Sequence, residues 1–194
     1  MIAMKSQMPL FREPDTLNAY RTFIGLPSNL AKEIRLLKEE FRKTYGPFAS
    51  ERTTPHITIC SFLLLEHRTF DVFTLIQRRL EHLPAFDFVI DGFGFDDRNK
   101  QIYLRIKESE VFTFMSQEFE RTRQQLHIKN NYQGSSEARI TIAKGLTREI
   151  YEDAKSKYAE RTFDETFMVD KLWVVSLDQD KGLYTPFTNI KLKG

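Results

Sequence analysis

Two short segments of this chain read alike. Residues 55–60 are Pro-His-Ile-Thr-Ile-Cys and residues 138–143 are Ala-Arg-Ile-Thr-Ile-Ala, so a basic residue, Ile, Thr, Ile and a small residue recur in that order. The basic positions, 56 and 139, are 83 residues apart. Each segment follows a polar loop and precedes a helical pattern. Side chains alternate between the two faces of a β-strand. His56 and Thr58 therefore point one way and Ile57 and Ile59 the other. The same alternation separates Arg139 and Thr141 from Ile140 and Ile142. The isoleucines belong to a core. If the two strands lie side by side, the basic residues and the threonines face one groove.

The rest of the chain supports a repeated order of elements. A strand over 20–25 is stopped by Leu26-Pro27, and Ser28 or Asn29 can cap the helix that follows. Its apolar stripe is Leu30, Ile34, Leu37 and Phe41, and Gly46-Pro47 ends it. After the strand over 56–64 comes a helix over 69–83, then strands over 86–95 and 101–107 joined by the turn 96–100. A helix over 110–126, a polar loop over 130–137, the strand over 139–143 and a helix over 148–158 follow. Two long strands, 166–177 and 183–192, close the chain as a hairpin. Strands joined mostly by hairpins argue for an antiparallel α+β fold and against a Rossmann layout. The recurring order suggests an internal duplication.

Bulk composition excludes several classes. The chain of 194 residues carries 29 Lys and Arg against 27 Asp and Glu, too balanced for a general non-specific nucleic-acid binder, though a small basic cleft remains open. Cys60 is the only cysteine, so no internal disulfide forms, and its apolar surroundings fit a buried small side chain. The apolar run over 57–65 is far short of the ~20 residues that span a bilayer, and residues 1–10 lack the apolar centre of a signal peptide. The expectation is a soluble, cytoplasmic protein with no membrane partner. His67, His82 and His127 show no ligand spacing, so no metal site is expected.

The PHITIC and RITIAKGL segments, their separation and the order of elements resemble the 2H phosphoesterase superfamily. That superfamily includes 2′-5′ RNA ligase-like proteins and cyclic nucleotide phosphodiesterases, and it carries two His-x-Thr motifs on strands of two related lobes. The likeness runs from about residue 20 to residue 192. It implies an α+β, two-lobed body with pseudo-two-fold duplicated antiparallel sheets, outer helices and a central groove. The whole of 1–194 then forms one domain with interleaved lobes, and 1–15 is a loose leader. It implies His56 as a general acid or base, with Thr58 and Thr141 clamping phosphate oxygens. Histidine suits proton transfer because its ordinary pKa lies near neutrality.

The second motif departs from the family pattern, because Arg139 stands where its histidine would be. An arginine guanidinium holds its proton throughout the physiological range, so it cannot cycle as an acid and base; it can hold a phosphate and stabilise negative charge. Lys144 follows the second motif, Arg52 precedes the first, and Tyr184 resembles an aromatic found near the family's cleft; all three join Arg139 as candidate substrate-binding residues. Plain alternatives remain for each: solvated charge for Arg52 and Lys144, a packed ring for Tyr184. The expected function is recognition of a phosphate ester on RNA or a nucleotide, with weak or altered cyclic phosphodiesterase activity on a 2′,3′-cyclic phosphate or a 2′-5′ linkage. The alternative is a non-catalytic protein that binds nucleotides or RNA ends, and a third reading has a vestigial groove. The expected protein is a monomer that uses no cofactor.

Overall fold

The computed structural model describes residues 16–107, 109–128 and 132–193, so the expected leader over 1–15 lies outside the described residues. In chain order the elements are β1 (Leu17–Gly25), α1 (Ser28–Tyr45), β2 (His56–Leu65), α2 (Thr69–Leu80), β3 (Phe86–Asp96), β4 (Gln101–Ile106), α3 (Glu110–Gln125), β5 (Gln133–Gly134), β6 (Arg139–Ala143), α4 (Arg148–Ala159), β7 (Asp164–Val169), β8 (Lys171–Asp178) and β9 (Leu183–Lys191). A short 3-10 turn, Glu66–Arg68, leads into α2. This is a mixed α+β fold.

The strands form one antiparallel sheet in the order β7-β3-β4-β6-β2-β1-β8-β9, with β5 added against β2. The two expected antiparallel sheets are thus halves of one hydrogen-bonded sheet. The halves meet between β2 and β6, at the pair Ile57 and Ile140. Only Asp170 separates β7 from β8, yet β7 stands at one end of the order and β8 next to the other. The sheet must therefore curve enough for one residue to carry the chain from one half to the other. α1 lies against β6 and α4 against β3 and β4; α2 packs on α3 and β9, and α3 on β2 and β5.

The expected single strand over 166–177 is in fact two. The burial pattern carries the reason: Phe167 and Val169 are buried, then Leu172 and Val174. Inward positions switch from odd to even at Asp170, and a strand with a period of two cannot keep one face inward across that switch. α1 also differs from expectation at its start. Pro27 sits at the cap, no side chain caps the helix, and Ser28 is already inside it. The helix ends at Gly46, whose φ of 84° suits glycine and whose N–H bonds the Arg42 carbonyl.

Ile57, Ile59, Ile140 and Ile142 are all fully buried. Ile57 and Ile140 occupy the seam between the halves. Replacing Ile57 by Ala should cost about 2–5 kcal/mol, through lost burial and a cavity that the seam cannot close. Urea unfolding should show a lower midpoint with an unchanged slope.

Candidate functional site

On the face of the seam opposite the isoleucines lies a cavity of about 420 Å³. The antiparallel pairing of Ile57 with Ile140 runs its neighbours crosswise, with His56 toward Thr141 and Thr58 toward Arg139. All four line the cavity, and Lys144 joins them from the turn after β6. Ser61 of β2 and Ser135, beside β5, add hydroxyls. β5 is held in place because the Ser135 N–H donates to the Ile59 carbonyl at 2.8 Å.

His56 is set for one tautomer. Its Nδ1 lies 2.7 Å from the Thr54 carbonyl oxygen. A carbonyl only accepts, so Nδ1 carries a proton and a neutral ring leaves Nε2 as the free acceptor. The ring packs against Phe23, with centroids 5.0 Å apart. Burial lowers the His56 pKa from its ordinary value, and Arg21, Lys38 and Lys144 push the same way against the opposing pull of the Thr54 carbonyl. His56 is therefore neutral near pH 7.

Arg139 is already engaged. Its Nη1 is 3.1 Å from Glu137 Oε1 and 3.5 Å from Asp96 Oδ2, and its guanidinium lies 5.1 Å from the centre of the Tyr103 ring. These contacts fix the charge at the cavity wall. Thr141 is oriented by Gln101, whose Nε2 donates to Thr141 Oγ1 at 2.8 Å.

Two candidates lie outside the cavity wall. The Arg52 side chain is 92% exposed and pairs with Glu51, so the loop points it to solvent. Tyr184, on β9, presents its ring to Arg21 with the guanidinium 4.4 Å from the ring centre; Arg21 lines the cavity and Tyr184 does not.

The sequence reading missed Lys38. It sits on α1 at 2% exposure and lines the cavity. Its Nζ donates to the carbonyls of Ser50 at 3.0 Å and Thr53 at 2.9 Å. Burial, and then the charge of Lys144, lowers its pKa to about 8. The signal was available: Ile34, Leu37, Lys38 and Phe41 share the buried face of α1, and a lysine on an apolar stripe needs a reason. Arg21, Ser50, Gln101 and Gln133 were missed as well.

The charge balance of the wall is one-sided. Arg21, Lys38, Arg139 and Lys144 line it, and no carboxylate does among the described residues. A larger groove of about 950 Å³ lies elsewhere, around Tyr20, Phe73 and Phe187, with Glu66 and Glu81 on its wall. Size favours that groove, but convergent cations and a poised histidine favour the smaller cavity for anion chemistry.

The 2′-5′ RNA ligase superfamily model matches residues 26–181, and the chain belongs to that superfamily. A Staphylococcus aureus (strain Mu3 / ATCC 700698) protein named "Putative phosphoesterase" is 23% identical over 175 residues, which is 87% of this chain and 98% of that protein. The crystal structure of E. coli LigT complexed with 3′-AMP superposes with a TM-score of 0.65 at 15% identity, covering 92% of this chain and 100% of LigT. The crystal structure of TT0787 of Thermus thermophilus also gives 0.65, at 17% identity, covering 91% of this chain and 98% of that one. These structural likenesses establish the fold.

Proposed function

We propose that this protein binds the phosphate ester of a nucleotide or RNA end in the seam cavity and hydrolyses a cyclic phosphodiester there. The observation that carries the reading is the wall of four cations, with no carboxylate among the described residues, around a neutral histidine. Thr58 and Thr141 supply hydroxyls for phosphate oxygens, and His56 Nε2 is placed to take a proton from water. The superfamily and the phosphoesterase name of a relative support the substrate class. A second reading, nucleotide binding without turnover, is favoured by Arg139. It holds the second motif position and is tied to Asp96 and Glu137.

A turnover screen with a 2′,3′-cyclic nucleotide, a 2′-5′ dinucleotide and ADP-ribose 1″,2″-cyclic phosphate tests the proposal. Hydrolysis of at least one supports it; binding without turnover supports the second reading. Arg139→Ala should weaken nucleotide monophosphate binding by about 1.5 kcal/mol, the low end for a charge-assisted hydrogen bond, because Arg139 shares its charge with two carboxylates. Titration calorimetry reads that change, and unchanged affinity would remove Arg139 from the binding wall.

A further inference from the structure

We infer that Lys38 is the proton donor of this cavity, giving a proton from its ammonium group to the leaving oxygen while His56 takes one from the attacking water. The inference rests on the phosphodiesterase reading above. A cyclic phosphodiesterase needs both an acid and a base. The second motif cannot supply the acid, because Arg139 holds its proton and is bound to Asp96 and Glu137. Tyr103, beneath Arg139, has its pKa raised, chiefly by burial, so its hydroxyl is a poor donor.

Lys38 has the geometry for the role. An ammonium carries three N–H donors. Two go to the Ser50 and Thr53 carbonyls. Among the described residues the third has no protein acceptor, and the group lines the same cavity as His56. The two carbonyl bonds hold Nζ in place rather than letting it sweep through solvent. The charged neighbours are Lys144, Arg139, Arg21 and His56 on the cavity wall, all cationic or titrating to a cation. Glu51, on the loop that Lys38 holds, is paired with Arg42 and Arg52. This setting eases proton release: burial and Lys144 bring the group to about 8, so it is charged at neutral pH yet gives up its proton far more readily than an ordinary lysine.

The step balances. Water oxygen bonds to phosphorus as the bond from phosphorus to one ribose oxygen breaks. His56 Nε2 takes the water proton, and Lys38 Nζ protonates the departing ribose oxygen. The products are a phosphomonoester, an imidazolium and a neutral amine, and the last two return to their starting states by proton exchange with solvent.

The test is the pH dependence of kcat/KM on 2′,3′-cyclic AMP for the unmutated protein and for Lys38→Arg and Lys38→Met, with circular dichroism for folding and calorimetry with 3′-AMP for binding. In the free enzyme the rate should fall as pH rises through about 8, where Lys38 loses its proton. Lys38→Arg keeps a charge and carbonyl donors but cannot release a proton. It should fold, bind 3′-AMP and lose about 100-fold in kcat, within the usual range for one acid or base, and its falling limb should disappear. Lys38→Met should lose at least as much. A Lys38→Arg protein with the original rate and profile would make Lys38 a loop anchor and nothing more. An active unmutated protein with no falling limb near that pH would overturn the inference even if neither variant folded. An unmutated protein that binds 3′-AMP but is inert toward the cyclic nucleotide would instead sink the hydrolytic reading, and the donor role with it.

Discussion

Replacing His56 by Ala should lower turnover of a 2′,3′-cyclic nucleotide by about 10²–10⁴-fold, the usual contribution of one positioned acid or base. Nucleotide affinity should change little, because the cations that line the cavity, Arg21, Lys38, Arg139 and Lys144, remain. The loss belongs in kcat if His56, as proposed, acts on the proton of the attacking water rather than on the bound phosphate. The pH profile gives an independent reading. His56 must be neutral to act, and burial holds its pKa below the usual histidine value. Activity should therefore survive acidification through the pH range where an ordinary histidine titrates, about 6.5, and fall only further down. An acid limb with its midpoint at or above that value would mean the working histidine is not the buried, carbonyl-bonded ring seen here. His56→Gln is the useful companion variant, because it keeps a polar side chain in place without a base. Turnover at the original rate in both variants would remove His56 from the chemistry.

Where the sequence was legible, the reason was local geometry. The Ile-Thr-Ile alternation put its isoleucines inside and its threonines on the cavity, because strand parity needs no knowledge of distant residues. The β3–β4 hairpin was readable from its turn, where Asp96 accepts from the backbone N–H and side chain of Asn99. What escaped was set by tertiary contacts. The strand over 166–177 hid its break because Asp170 is one polar residue between two apolar runs, and only pairing of β7 with β3 and β8 with β1 shows that they belong to opposite halves. β5 is two residues long, and Gln133 and Ser135 reach the cavity only through its pairing with β2. Lys38 lies far in sequence from both motifs. Its position on an apolar stripe was visible, but its carbonyl partners on the loop before β2 were not. Arg52 shows the reverse case: proximity in sequence to His56 did not bring it to the cavity, because its side chain turns to Glu51 and solvent.

Arg139→His separates the two accounts of where the second proton comes from. A histidine at 139 would sit where Asp96 and Glu137 now hold the guanidinium. Neighbouring carboxylates favour the imidazolium, which is the form a general acid needs. If Lys38 already donates, the single substitution adds a second donor to a working site, and the gain in cyclic phosphodiesterase rate should be modest, about tenfold against the 10²–10⁴-fold of a missing acid. The larger effect should come in the Lys38→Met background, where Arg139→His should restore about 100-fold, most of what the lysine variant lost. Two donors that substitute for each other give this non-additive pattern, and two residues that merely support the fold do not. The restored double variant should also show a changed profile at high pH, since its rate now falls as an imidazolium rather than an ammonium loses its proton. Adding His56→Ala should abolish activity in every background, because neither donor replaces the base. A single Arg139→His variant that gains the full range, with no further change when Lys38 is removed, would show that the lysine supplies no proton and that the missing histidine alone limited the rate. A double variant that folds, binds 3′-AMP and stays inert would show that the wall around position 139 no longer presents a donor to the phosphate.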